Sequence, residues 1–214
     1  MFLKEMTGAV LVGGKSRRMG FNKAFIEING QSIVERVVET LHKSFTHLIV
    51  ITNRETILDY ERLNVRVVAD IYDGAGSIGG IYTALFHSPS PYCFVAACDM
   101  PLLDRGVIEK MVREAKGHDA VIPCINGRFH PLHAIYSRRC MGPMEEMIQR
   151  HDLTIGNLYR RIKVRRLEED FFPGAPDFPF LSNINTAEEL KRLSQVMKTE
   201  DVPHREGKTG KGCS

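Results

Sequence analysis

This chain lacks a run of apolar residues approaching the ~20 that a membrane-spanning helix needs, and it lacks a dominant charge. Its 29 Lys and Arg face 26 Asp and Glu, a formal net charge of +3 over 214 residues. That bias is too small to make nucleic acid or an anionic membrane the main partner. The N-terminal Met1-Phe2-Leu3-Lys4-Glu5 has no long hydrophobic segment of the secretory kind. The five cysteines, Cys93, Cys98, Cys124, Cys140 and Cys213, include no CxxC pair and no Cys/His ligand spacing, which argues against zinc. Cys93 and Cys98 lie in the apolar run Tyr92 to Cys98, where a thiol serves as a small buried hydrophobe. Internal repeats and interdomain linkers are missing as well. The expectation is a cytoplasmic protein with one domain, residues 1–197, and a disordered tail, residues 198–214, of Lys, Glu, Gly and Pro with almost no apolar content.

What the chain does have is a glycine-rich cationic segment close to its start. Leu11-Val12-Gly13-Gly14-Lys15-Ser16-Arg17-Arg18-Met19-Gly20-Phe21-Asn22-Lys23 follows the apolar run Ala9 to Val12. Glycines let backbone N–H groups approach an anion, and Lys15, Arg17, Arg18 and Lys23 add charge with no acid between them. A nucleoside triphosphate is the natural occupant. A solvated basic turn would account for a lone GGxS, but it leaves Arg-Met-Gly and the lysine beyond unexplained. Gly14-Lys15-Ser16 ends like a Walker A loop, yet Ala9 stands where that pattern requires glycine.

Beyond this segment, apolar β-branched runs alternate with amphipathic stretches. Strands are expected at 8–12, 47–52, 65–69, 92–97 and 120–125, and helices at 32–43, 78–86 and 104–115. That rhythm is an α/β fold with a largely parallel sheet. Ser32 and Glu35 form a capping-box pattern, and Thr186 to Glu189 repeats it before a last helix over 187–197. The stretch Arg128 to Tyr136 reads as a strand interrupted by Pro131, hence an edge or a functional crossing. The cations Arg160, Arg161, Lys163, Arg165 and Arg166 read as a solvated face, with steering of an acceptor or partner docking as the lesser meaning.

In such sheets ligands bind beyond the carboxyl ends of the strands, where the loops 13–23, 70–80 and 98–101 would all emerge. Asp99 follows an apolar strand and precedes Met100-Pro101. It suits Mg²⁺, a hard cation held by one or two carboxylates plus substrate phosphates. Helix capping is the simpler use of such an aspartate, but Asp104 stands nearer the next helix. Gly74 to Gly79 matches GxGxxG, so a dinucleotide-binding protein is the rival reading. Asp70 and Asp73 just before those glycines are a poor setting for a pyrophosphate, and that reading ignores the first loop.

Together these motifs resemble those of the molybdenum cofactor guanylyltransferases. The pattern LxGGxSxRMGxxK is met from Leu11 to Lys23. The family's aspartate and glycine-rich base loop resemble Asp70 and Gly74 to Gly80, its metal aspartate resembles Asp99, its His-Pro resembles His130-Pro131, and its late NxNT resembles Asn183 to Thr186. Ser77-Ile78 stand where the family commonly has Pro-Leu. The resemblance implies a three-layer Rossmann-like nucleotidyltransferase fold and Mg²⁺-dependent transfer of GMP from GTP to the terminal phosphate of molybdopterin or Mo-molybdopterin. Lys23, Arg17 and Asp99 would be catalytic, with Asp99 the metal ligand. Leu11, Val12, Gly13, Gly14, Lys23, Asn53, Asp70, Gly76, Gly79, Gly80 and Asp99 would bind nucleotide, and Arg128, His130, Asn183 and Asn185 the acceptor. Molybdoenzymes or their chaperones are partners the resemblance allows. Cytidylyltransferases of the same fold, which commonly carry alanine where Gly13 stands, remain an alternative, as does a non-catalytic nucleotide-binding module.

Overall fold

The apolar runs become strands buried on both faces, the arrangement parallel sheets require. The computed structural model describes residues 3–13, 25–28, 30–53, 60, 63–174 and 177–183. Its main sheet contains β1 (Thr7–Leu11), β4 (His47–Thr52), β5 (Arg66–Ala69), β6 (Tyr92–Ala97), β7 (Ala120–Ile125), β9 (His133–Ser137) and β10 (Val164–Leu167). A two-residue β8 (Arg128–Phe129) pairs with β7, and β2 (Glu27–Ile28) forms a small hairpin with β3 (Gln31–Ser32). The lateral order is β10-β7-β9-β6-β1-β4-β5. Every neighbouring pair on this path is parallel except the two that involve β9.

Helices cover both faces. On one side Val34, Val37, Val38 and Leu41 of α1 (Ile33–His42) and Ile108, Met111 and Val112 of α3 (Arg105–Arg113) share a core with Val10, Val50, Phe94 and Ile135. On the other, Ile78, Ile81 and Leu85 of α2 (Gly76–His87), Met144 and Met147 of α4 (Met141–Gln149) and Leu158 of α5 (Ile155–Leu158) meet Ala9, Ile49, Val95 and Tyr136. Strand alternation sends successive residues to opposite cores, which gives the three layers. No helix among the described residues is long and apolar enough to cross a membrane.

Local chemistry sets the element ends. Ser32 Oγ accepts the Glu35 N–H at 3.3 Å while Glu35 Oε2 accepts the Ser32 N–H at 2.7 Å, so the capping box starts α1 as its sequence requires. Asp104 caps α3 through the Val107 N–H at 2.9 Å. Helix α2 begins at Gly76, two residues before the position read from the sequence, and its N-cap residue Ala75 makes no side-chain cap. The stretch around Pro131 is two strands instead of one, and β9 lies in the interior between β6 and β7. Pro131 stays outside the ladder, in the turn that joins them. The last helix and the boundary at residue 197 fall outside the described residues.

Strand β10, unrecognised in the sequence, closes one edge. Arg165 pairs with Glu114 at 2.8 Å and the Arg166 guanidinium lies 5.2 Å from the Phe129 ring. Long cationic side chains on an edge strand also discourage edge-to-edge association. Asp119 ties β10 to the sheet: its carboxylate accepts the Lys163 N–H at 2.8 Å and the Arg139 guanidinium, and its carbonyl accepts the Ser137 N–H at 2.7 Å. Burial alone would raise the Asp119 pKa, but the Lys163 N–H and Arg139 outweigh it and hold it below the ordinary value. A depressed acid stabilises the fold above its unfolded pKa, and that contribution fades as pH falls through the folded one. Asp119→Asn should therefore cost about 1–2 kcal/mol at pH 7. The deficit against wild type should narrow below about pH 4. Thermal unfolding at pH 7 and pH 3 tests this, and an equal deficit at both would show that the charge contributes nothing.

Candidate active site

The chain runs outward from β1 to β4 and β5, then returns to place β6 on the other side of β1. The strand order thus reverses beside β1, and an open α/β sheet has its crevice at that point. Main-chain bonds continue past the strand ends there. The Val12 N–H reaches the Ile51 carbonyl at 2.8 Å, the Cys98 N–H the Leu11 carbonyl at 3.1 Å, the Asp70 N–H the Thr52 carbonyl at 2.8 Å and the Ala97 N–H the Leu132 carbonyl at 3.1 Å. Asp70, Asn53, Gly13, Asp99 and the entry to β9 consequently emerge at one edge in that lateral order. Four interstrand gaps of ~4.8 Å make the row about 19 Å wide. Two phosphorylated substrates can lie along it side by side.

At the β5 end, Asp70 organises the start of α2. Its Oδ1 accepts the Tyr72 N–H at 3.1 Å and the Thr83 hydroxyl at 2.7 Å, while Thr83 Oγ1 accepts the Ile71 N–H at 3.0 Å. Burial pushes the Asp70 pKa up, opposed by the bonds from Thr83 and Tyr72. Gly79 and Gly80 are buried where α2 meets this turn and β1. A Cβ on Gly79 would lie 2.9 Å from the Tyr72 carbonyl oxygen, and one on Gly80 would lie 3.0 Å from Leu11 Cδ1. Both glycines thus permit close packing, whereas Gly76 is exposed at the uncapped helix start. The first N–H groups of α2, with no side-chain cap, can serve ligand acceptors.

In the middle of the row, Leu11 and Val12 are buried and Gly13 is exposed. A Cβ on Gly13 would meet nothing within 4 Å among the described residues. Asn53 is half-buried after β4, and Asp99 is half-buried after β6, above buried Met100. Capping of α3 by Asp104 leaves that duty off Asp99. The neighbouring Cys98 thiol is pushed up to about 12 by burial and then by the Asp99 charge, so it stays protonated.

At the far end of the row, Arg128 is exposed on β8 and His130 is half-buried. Desolvation and then the Arg128 charge lower the His130 pKa, which keeps the ring neutral near pH 7. The His130 N–H donates to the Pro123 carbonyl at 3.0 Å, and the His133 N–H closes the turn onto the His130 carbonyl at 3.2 Å. Asn183 is exposed, three residues beyond Phe180, whose ring lies 5.4 Å from that of His133. Gly14, Arg17, Lys23 and Asn185 lie outside the described residues.

Residues 8–166 match the MobA-like NTP transferase domain. A molybdenum cofactor guanylyltransferase of Desulfosudis oleivorans is 34% identical over 199 residues, 92% of this chain and 98% of that protein. The chain belongs to the molybdenum cofactor guanylyltransferase family. A probable molybdenum cofactor guanylyltransferase of Pelotomaculum thermopropionicum is 32% identical over 87% of this chain and 90% of its own. The crystal structure of molybdopterin-guanine dinucleotide biosynthesis protein A from Archaeoglobus fulgidus superposes with a TM-score of 0.78 at 30% identity, covering 91% of this chain and all of that one. This guanylyltransferase family membership settles Gly74 to Gly79 as part of a nucleotidyltransferase rather than a dinucleotide-binding protein. Sequence reading of the family motifs missed Thr83 and Tyr136. Thr83 bonds Asp70 and Tyr136 bonds a main-chain carbonyl, neither of which leaves a motif.

Proposed function

We propose that this protein transfers GMP from GTP to the terminal phosphate of molybdopterin, forming molybdopterin guanine dinucleotide and pyrophosphate, with Mg²⁺ as the metal and in the cytoplasm. The likeness to the D. oleivorans protein along 98% of that protein's length carries the reading. The row from Asp70 to His130 supports it by offering two substrate halves on one sheet edge. An oxygen of the acceptor phosphate attacks the α-phosphorus of GTP, the bond from that phosphorus to the bridging β-phosphate oxygen breaks, and pyrophosphate leaves with the electron pair. Such transfer needs positioning and charge neutralisation more than a protein nucleophile.

The donor set suits Mg²⁺. Asp99 supplies a hard carboxylate oxygen at the end of β6, half-buried beside the loop that follows β1. Among the described residues no group of three His, Cys, Asp or Glu could hold a metal alone, so phosphate oxygens and water would complete the shell. Bound by Asp99, the cation would neutralise charge on the reacting phosphates. Lys23 and Arg17 would hold the triphosphate, and Asn53, Asp70 and the start of α2 the guanosine. Arg128, neutral His130, Asn183 and Asn185 would hold the acceptor. A phosphate is already ionised at neutral pH, so His130 binds and orients instead of removing a proton.

The test is to incubate the protein with GTP, ATP, CTP or UTP, each with Mg²⁺ and molybdopterin, and to weigh the product. A guanylylated product with GTP is expected, and preference for CTP would move the protein to the neighbouring cytidylyltransferases. Gly13→Ala refines the same assay. The backbone accepts the methyl group freely, so the variant should fold, yet the Cβ should crowd the larger base. Use of GTP should fall more than residual use of CTP, by about 1–3 kcal/mol in selectivity. Equal loss with both nucleotides would show that Gly13 shapes the phosphate loop and does not read the base.

A further inference from the structure

We propose that Tyr136 and Tyr159 are positioning residues for the acceptor: their paired hydroxyls lock the His130–His133 turn and so fix how Arg128 and His130 meet the acceptor phosphate. The proposal rests on the acceptor reading above. Tyr136 is completely buried in β9, and its hydroxyl donates to the Pro131 carbonyl at 2.9 Å. Pro131 has no N–H, so its carbonyl is the main-chain polar group through which that residue can be held. The two flanking bonds, from the His130 N–H to Pro123 and from the His133 N–H to His130, fix the ends of the turn. In its middle the Ala97 N–H holds the Leu132 carbonyl and Tyr136 holds that of Pro131.

Tyr159, just past α5, places its hydroxyl 3.3 Å from that of Tyr136. With the Tyr136 proton committed to Pro131, Tyr159 donates and Tyr136 accepts, so the two bonds run in series. The Tyr159 ring also lies 4.8 Å from that of Phe129, the residue between Arg128 and His130, and Arg166 covers the Phe129 ring at 5.2 Å. The pair therefore grips both sides of the acceptor residues. Burial pushes the Tyr159 pKa up to about 12 and that of Tyr136 well above its ordinary value, so both remain donors across the working pH range.

Tyr136→Phe keeps the ring and its packing but removes the bond to Pro131. The KM for molybdopterin should rise about five- to tenfold, the value of one lost neutral hydrogen bond, while the KM for GTP stays within about twofold. Tyr159→Phe should show a smaller rise of the same kind. The double variant should be no worse than Tyr136→Phe alone, because Tyr159 acts through the Tyr136 hydroxyl. A merely structural role would alter both substrates together or neither, whatever the change in unfolding temperature, and either outcome overturns the proposal, as does additivity in the double variant. Should Tyr136→Phe fail to fold, half-buried Tyr159→Phe carries the test, and an unchanged acceptor KM in it is equally fatal. Wild-type protein that does not consume molybdopterin overturns the function reading first, and this proposal with it.

Discussion

Asp99→Asn should abolish transfer in a protein that still folds. The amide nearly matches the carboxylate in size but lacks the negative charge that would hold Mg²⁺. Its strand continuation depends on main-chain bonds, the Cys98 N–H to Leu11 and the Ala97 N–H to Leu132, which the substitution leaves in place. The helix that follows is capped by Asp104 and not by Asp99. Charge stabilisation by a metal on a reacting phosphate is worth several kcal/mol, so turnover should fall about a thousandfold or more. The measurement is kcat against Mg²⁺ concentration, with unfolding temperature as the control for structure. Near wild-type turnover at limiting Mg²⁺ in the folded variant would remove Asp99 from the metal site.

The parts of the fold legible in the sequence are those where a short-range rule and the tertiary environment agree. Ser32 and Glu35 announce α1, Asp104 announces α3, and the short apolar runs of β1, β4, β6 and β7 read as strands covered on both faces. Where the two disagree, the reading drifts. Gly76 looks like part of a loop, yet it begins α2, and Gly79 and Gly80 follow inside the helix where close contact with Tyr72 and Leu11 leaves no room for side chains. Strand β10 carries two arginines in four residues, a pattern that reads as a solvated strand or helix face, and it is an edge strand with Glu114 and Phe129 beside it.

The candidate site divides in the same way. Asp70, Gly13 and Asp99 stand immediately after apolar strands, so their convergence follows from the parallel topology alone. The acceptor side depends on β9 running opposite to its neighbours, which carries the His130–His133 turn to the same edge. No periodicity signals that reversal. Tyr136 and Thr83 are less visible still, since each acts through one hydroxyl on a turn some distance along the chain, and a buried tyrosine or threonine in an apolar pattern reads as core.

Lys23→Ala should weaken GTP binding and slow transfer together. The segment from Gly13 to Lys23 carries Lys15, Arg17, Arg18 and Lys23 with no acid among them, and it leaves the sheet at Gly13, between the ends of β4 and β6, where Asp99 also emerges. A triphosphate bound across that point would bring negative charge that one carboxylate-held divalent cation would only partly offset, so the Lys23 ammonium would act on the ground state. Charge would also build on the leaving pyrophosphate as the bond to the α-phosphorus breaks, so the same ammonium would act more strongly in the transition state. Removing it should cost about 2–4 kcal/mol in kcat/KM, roughly 30- to 1000-fold, shared between a higher KM for GTP and a lower kcat. Calorimetric titration with GTP and steady-state kinetics separate the two shares. A rise in KM with kcat unchanged would make Lys23 a binding residue alone, and no change in either would place the phosphate cradle on the arginines, with Arg17→Ala then showing the loss that Lys23→Ala does not.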